Sequence, residues 1–329
     1  MPAIDLSPAE LSRWVRGLAG GSDSATTDPG VVLVVDFDEP HEPLPDLHPG
    51  VAAIVVGRTS SDERRSHPDG GACDVLVGRD DSVLTPIVEA AERTPLAATA
   101  LAVLLRGAPH RSIDDGLSAE SAVYSSLQAG PEFAAWLAGR PRRTRPEDDE
   151  PVLLERDGAV LTITLNRPRV RNALNTAMRD QLVEAFRLPQ LDPGIAEVHL
   201  RGAGEAFCSG GDLDEFGSFI DPASAHLVRL QQSVGRLMAS SADRVTAHLH
   251  GACVGSGIEL PAFARRVVAH PSTEISLPEV SLGLIPGAGG TESLPRRIGR
   301  HRTARLALTG ETIDATTALR WGLVDAIEE

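Results

Sequence analysis

Lysine is missing altogether. The 329 residues carry 31 Lys plus Arg side chains, and every one of them is Arg. That excludes a Schiff-base lysine and leaves any phosphate to be held by Arg or by backbone N–H groups. Cysteine is scarce too: Cys73, Cys208 and Cys253 are an odd number without C-x-x-C spacing. They offer no metal site or disulfide framework and fit a reducing compartment. No apolar run approaches the ~18 residues of a membrane span, and no signal peptide is visible. A soluble, cytoplasmic chain is expected. Positive charge is also short, because 46 Asp plus Glu leave a formal net charge of −15. This argues against nucleic acid or an anionic membrane surface as the main partner. The length allows one large domain or two smaller ones.

What is present is an alternation of apolar strands and amphipathic helices. Residues 3–19 predict a short helix, and VVLVVDF (31–37), VAAIVV (51–56) and CDVLV (73–77) predict strands. The pattern turns helical over 83–105, 112–127 and 131–137, then breaks at RPRRTRPEDDE (140–150), which has the composition of an exposed linker. Beyond it come strands at 159–165 and 197–201, a helix over about 176–188, a turn-rich loop at 202–211, a helical segment opening at Asp212, and a long helix over 223–240. The alternation predicts an α/β layering.

The chemistry concentrates between Ala247 and Gly290. Two glycine-rich turns, Gly251–Gly257 and Gly287–Gly290, each lie close to one carboxylate, Glu259 or Glu279. A strand, a glycine turn and an apolar helix from Ile258 would place backbone N–H groups where an oxyanion can be held. Two glutamates converging on such a site suit acid–base work. A glutamate at a helix start is often only a solvated or capping residue. Here LPAFA follows Glu259, which argues against an exposed position.

G-x-x-x-G-S-G-x-E-L followed by L-P-E-x-x-x-G-x-I-P-G-A-G-G-T resembles the crotonase (enoyl-CoA hydratase/isomerase) superfamily over about residues 152–327. The resemblance implies an α/β fold of crotonase-like (ClpP/crotonase) type, a spiral of ββα units with a helical region. It implies an enoyl-CoA hydratase-like enzyme that adds water across the 2,3 double bond of an acyl-CoA thioester. Glu259 and Glu279 would then be the acid/base pair holding one water, and the backbone N–H groups of Ser209 and Ser256 the oxyanion hole. Arg167, Arg169 and Arg171 would meet the phosphates of coenzyme A, with Ala203, Ala206, Phe207 and Asp212 near its adenine and pantetheine. It further implies a role in fatty acid metabolism, no metal and no cofactor beyond the coenzyme A of the substrate, and a homotrimer or hexamer. Two other readings stay open: a different reaction on the same oxyanion hole (isomerisation, hydrolysis or carbon–carbon cleavage), and a non-catalytic acyl-CoA-binding scaffold.

The same resemblance bears on domain order. Crotonases continue past W-G-L-V-D-A-I (321–327) with closing helices, and the series A-A-x-x-x-P-L-A, S-I-D-D-G-L-S-A-E and P-E-F-A-x-W-L-A-x-R-P within 85–140 follows the order of those helices. The chain therefore divides into a region 1–145, with closing helices placed ahead of the catalytic core, and the core 150–329. On this reading the strands at 31–37, 51–56 and 73–77 are remnants of a site-less first copy. An unrelated helical domain is the alternative. Asp214 and Glu215 either line the acyl pocket or cap a helix. His248, His250, Cys208, Cys253, Trp136 and Trp321 are most simply structural.

Overall fold

A computed structural model describes residues 3–18, 29–60, 67–79, 82–141, 150–218 and 221–329. Most of the expected linker, 142–149, lies outside them. The first half opens with β1 (Ile4–Leu6), α1 (Pro8–Leu18), β2 (Val32–Asp36), β3 (Ile54–Thr59) and β4 (Val75–Gly78). These four strands form one parallel sheet in chain order. Alternate residues of β2 serve two faces. Val32 and Val34 join the main core, whereas Leu33 and Val35 pack with Leu11 and Val15 of α1. That is the period of two expected of a strand covered on both sides.

Four helices follow: α2 (Leu84–Arg93), α3 (Pro95–Arg106), α4 (Ile113–Gln128) and α5 (Pro131–Ala138). The continuous helix expected over 83–105 is cut at Thr94, which leaves helical geometry (φ −136°, ψ 65°) just before Pro95. A residue preceding proline is driven out of the α region. Ile4–Leu6 are likewise not helical but form β1, and the helix begins at Pro8.

The second half runs β5 (Val152–Asp157), β6 (Val160–Leu165), α6 (Thr176–Leu191), β7 (Glu197–Gly202), α7 (Pro222–Gln231), α8 (Val234–Ser240), β8 (Val245–Leu249), β9 (Ala252–Val254), α9 (Ser256–Glu259), β10 (Arg266–Ala269), β11 (Glu274–Ser276), α10 (Gly290–Ile298), α11 (Arg300–Thr309), β12 (Ile313–Asp314), α12 (Ala315–Trp321) and β13 (Ala326–Ile327). The large sheet has the order β13-β10-β8-β7-β6-β5, parallel except for β5. A small sheet, β12-β11-β9, lies beside it. β8 and β10 belong to the large sheet, and the strands that follow each, β9 and β11, belong to the small one. The chain thus climbs as a spiral of two-strand turns, and each turn ends near the site. The helix expected over 223–240 is two helices, because Ser233 leaves helical geometry to cap α8 through Arg236 N–H. The segment opening at Asp212 is a run of turns rather than a helix.

The two halves share a core. One continuous apolar cluster holds Val34 of β2, Ile54 and Val56 of β3, Leu101 of α3, Phe133 of α5, Ile163 of β6 and Leu294 of α10. α4 packs on both α7 and α10, and α11 packs on β4, α2 and α3. Residues 84–138 therefore pack over residues 150–329, and the two halves are not separate in packing.

Candidate active site

Two loops and one turn build the site. The loop after β7 runs alongside β9: Cys208 N–H donates to Ala252 O at 3.1 Å, and Val254 N–H donates back to Cys208 O at 2.9 Å. At the end of β9 the chain reverses at Gly255 (φ 52°, ψ −120°), a conformation open to glycine and closed to residues with a Cβ. Gly257 is required for a different reason, since a Cβ there would lie 2.3 Å from Cys208 O. α9 is then a single turn, Ser256–Glu259, because Pro261 supplies no N–H to extend it. Glu259 is thus set at the end of one turn rather than inside a long helix.

Glu259 is 2% exposed. Its Oε2 accepts the N–H groups of Ala288 at 2.8 Å and Gly290 at 2.9 Å, both on the second glycine-rich turn. A Cβ on Gly290 would fall 2.6 Å from Glu259 Cγ, so the glycine is what lets the carboxylate reach that backbone. Glu279 starts the short turn Glu279–Leu282, with Oε1 over Gly255 and Oε2 enclosed without a hydrogen-bond partner among the described residues. Both glutamates line one cavity of about 190 Å³, together with Gly211, Ser256 and Leu174.

A third carboxylate, not anticipated from the sequence, comes from the other half of the chain. Glu120 of α4 is 2% exposed. It accepts Gly289 N–H at 2.7 Å, Thr291 N–H at 2.9 Å and Thr291 Oγ1–H at 2.7 Å. Glu259 and Glu120 therefore take alternate N–H groups of residues 288–291 and clamp that strap from two sides. Burial raises the pKa of all three glutamates, and mutual repulsion adds to it, Glu279 acting on Glu259, Glu259 on Glu120 and Glu120 on Glu279. They titrate as a cluster, with values raised to about 7 at Glu279 and about 8 at Glu259 and Glu120. Tyr124, the sole tyrosine, also lines the cavity, its ring filling the space above Gly287.

The expected oxyanion donors divide. Ser256 lines the cavity, and no described hydrogen bond occupies its N–H. Ser209 does not belong there: its N–H donates to Arg171 O at 2.9 Å and so is spent on holding the loop. Gly211, two residues on, lines the cavity in its place, and its N–H is likewise unused among the described residues. The glycine directly ahead of Asp212 was the only available signal, and it needs the backbone trace to be read.

The expected coenzyme A contacts are mostly structural. Arg167 is buried and paired with buried Asp212 at 2.9 Å, so neither is free to meet phosphate or adenine. Ala206 and Phe207 are buried in the core. Their carbonyls and that of half-buried Ala203 accept hydrogen bonds from Asn172 Nδ2 at 2.8–3.1 Å. Asn172 adopts a left-handed φ of 54° and pins this loop from within. Arg169 and Arg171 are exposed and do not line the cavity. Glu215 lines the cavity; the helix it was to cap does not form, and its carboxylate instead takes Thr176 N–H at 2.7 Å at the start of α6. Asp214 pairs with Arg140 at 3.5 Å. His248 bonds His199 at 2.8 Å and His250 bonds Gly204 O at 3.0 Å. Burial raises the thiol pKa values of Cys208 and Cys253, which makes them poor nucleophiles. Among the described residues there is no His/Cys/Asp/Glu cluster suited to a metal and no helix long and apolar enough to cross a membrane.

Residues 155–328, just over half of the chain, match the model of the enoyl-CoA hydratase/isomerase family. The chain belongs to that family. It is an enzyme of the crotonase superfamily with the corresponding fold. A probable enoyl-CoA hydratase of Mycobacterium bovis is 35% identical over 178 residues, covering 54% of this chain and 68% of that protein. A second, from Mycobacterium tuberculosis, is 39% identical over 176 residues, covering 53% and 68%. Among solved structures, the enoyl-CoA hydratase of Thermoplasma volcanium matches with a TM-score of 0.51 at 35% identity, covering 54% of this chain and 71% of that one.

Proposed function

We propose that this family member hydrates a 2-enoyl-CoA thioester. The observation that carries the reading is the enclosure of Glu259 and Glu279 in one cavity with the N–H groups of Gly211 and Ser256, both unused among the described residues. The thioester oxygen would sit between those N–H groups, where the enolate charge develops as water adds at C3. Repulsion keeps the two carboxyls from being ionised together. Burial and repulsion raise both carboxyls, to about 8 at Glu259 and about 7 at Glu279, so the pair shares one proton. For the addition step we place it on Glu279 on geometry, because the N–H groups of Ala288 and Gly290 hold the charge on Glu259 while Glu279 Oε2 has no hydrogen-bond partner among the described residues. Glu259 then takes a proton from water as its oxygen bonds C3, and Glu279 delivers its proton to C2. Return of the proton from Glu259 to Glu279 resets the site, so no outside acid, base or redox partner is consumed.

The arrangement of the halves supports a second part of the proposal: α2–α5 serve as the closing helices of this core, placed ahead of it in the chain. Tyr124 and Gln128 of α4 line the catalytic cavity. α5 approaches the Glu279 turn so closely that a Cβ on Gly283 would lie 2.7 Å from Glu132 Cβ and from Phe133 N. The Arg169 and Arg171 side chains, exposed near the loop, stay as candidates for the coenzyme's phosphates.

The test is turnover of crotonyl-CoA in water, followed by loss of the enoyl thioester absorbance. We expect Glu259→Gln and Glu279→Gln each to lower kcat by about 10²–10⁴-fold, the usual contribution of a positioned acid or base. Full activity in either variant would refute the pairing.

A further inference from the structure

Beside the catalytic cavity lies a second one, of about 100 Å³, walled by Leu117, Leu230, Val234 and Leu260. The two cavities share Leu174, Gly287 and Ala288 as a common wall, and with them the side chains of Arg179 and Arg229. An acyl chain whose C2 and C3 lie between the glutamates has this apolar space as a continuation. The two arginines on the shared wall differ in one respect. Arg179 is neutralised by Asp180 at 2.7 Å. Arg229, half-buried, has no carboxylate within ion-pair distance among the described residues. Its three described side-chain hydrogen bonds go to neutral groups of α4: Ser121 Oγ at 3.1 Å, Gln128 Oε1 at 3.2 Å and Ser125 Oγ. Its guanidinium also stacks over Tyr124, 4.8 Å from the ring centroid. Glu120 lines the second cavity too, but both of its oxygens are turned to residues 289 and 291.

A half-buried cation without an anion is costly to keep. A link between α7 and α4 through neutral acceptors does not need a guanidinium, and three bonds leave two of its five donors unused. The lone tyrosine beneath it stabilises the charge without neutralising it. Glu120, held on residues 289 and 291, supports the charge from a distance and not in contact, so the guanidinium has room for an anion of its own.

Building on the hydratase reading, we infer that the acyl chain of the substrate ends in a carboxylate, which Arg229 binds on the wall between the two cavities. The substrate class is then an ω-carboxy 2-enoyl-CoA rather than a fatty enoyl-CoA.

The experiment compares six- and eight-carbon 2-enoyl-CoA thioesters ending in carboxylate with those of the same length ending in methyl. In the wild-type protein we expect kcat/KM to favour a carboxylate-ended chain by about tenfold or more, as one charge-assisted hydrogen bond supplies. The ratio should fall toward one in Arg229→Gln and be largely kept in Arg229→Lys, an outcome that a purely structural link between α7 and α4 would not produce. A wild-type ratio of one or below at both lengths, or an unchanged ratio in Arg229→Gln, overturns the inference. Should Arg229→Gln not fold, the wild-type preference must shrink as salt rises, and a salt-independent preference overturns it equally. If the wild type hydrates none of the four thioesters, the hydratase reading fails by itself. The same preference is then measured by calorimetry as the affinity for saturated carboxylate-ended against methyl-ended acyl-CoA, and equal affinities overturn the inference.

Discussion

A carboxyl group closed off from water keeps its charge only where something nearby donates to it. At the site the donors are chiefly main-chain N–H groups, and their supply separates its three glutamates: Glu259 and Glu120 share residues 288–291, whereas Glu279 Oε2 receives nothing among the described residues. Position matters as much as charge. Gly255 holds the reversal under Glu279, and a Cβ there would lie 2.3 Å from Glu279 Oε1. We expect Gly255→Ala to force that carboxyl aside and to store about 1–3 kcal/mol of backbone strain. Hydration should fall at least as far as in Glu279→Gln, with the far-ultraviolet circular dichroism unchanged; activity near that of the wild type would show that Glu279 need not sit over Gly255. Much of this site was legible residue by residue. Glu259 and Glu279 stand out because glycines on either side of an acidic residue mark close backbone approach. Ser209 and Arg167 were misread, because a motif names the loop but not the direction of each N–H, nor the ion pair that buries an arginine. Glu120 could not be read at all: its partners lie about 170 positions away, and nothing near it in the chain calls for an acid.

Elements follow local rules until a single residue overrides them. Periodicity finds α2 and α3 but not the break at Thr94 that Pro95 imposes. It finds β2, β3, β4, β6, β7 and β8 to within a few residues, but reads β1 as helix and does not find β5 or the short strands β9–β13. What holds the elements together is less visible. Arg106, at the end of α3, forms a bidentate pair with Asp74 at 2.8 Å and also donates to Val51 O and Ala53 O at 2.6 Å. Both side chains are buried, with the Asp74 carboxylate also taking Val55 N–H at 2.9 Å. One guanidinium thus fixes the helix to the edge of β3 and β4. Arg106→Met keeps much of the volume but leaves the buried Asp74 charge with only Val55 N–H and the more distant Arg300 at 4.0 Å. Breaking a buried pair costs up to about 3–5 kcal/mol in other proteins. We expect a marked drop in the urea midpoint, and partial recovery in the double variant Arg106→Met/Asp74→Asn. An additive or worse double variant would mean that the pair does not link α3 to the sheet.

At the scale of the molecule, α4 and residues 150–329 meet at a cluster of three glutamates, Glu120, Glu259 and Glu279, so the stability of the fold is linked to pH. The ordinary carboxylate value of 4.5 is raised to about 7 at Glu279 and to about 8 at Glu259 and Glu120. A group bound more tightly to its proton in the folded state stabilises the fold fully below the unfolded value. That contribution is lost as pH rises from near 4.5 through the folded values. Between those limits the folded state holds more protons than the unfolded one, and each extra proton makes stability fall by about 1.4 kcal/mol per pH unit. Asp38, held well below the usual carboxylate range by its hydrogen bond from Arg79, acts in the opposite sense but below this window. The net charge of −15 adds self-repulsion as pH rises, so the slope alone does not identify the acids. Glu279→Gln does: it removes one titrating group whose Oε2 has no partner to lose, and the fall in stability between pH 5.5 and 7 should become shallower by up to one proton's worth. Urea unfolding at a series of pH values measures it. A wild-type stability that climbs over this range, or a slope that Glu279→Gln leaves untouched, would mean that the cluster is ionised in the folded protein and that no proton is held ready for C2.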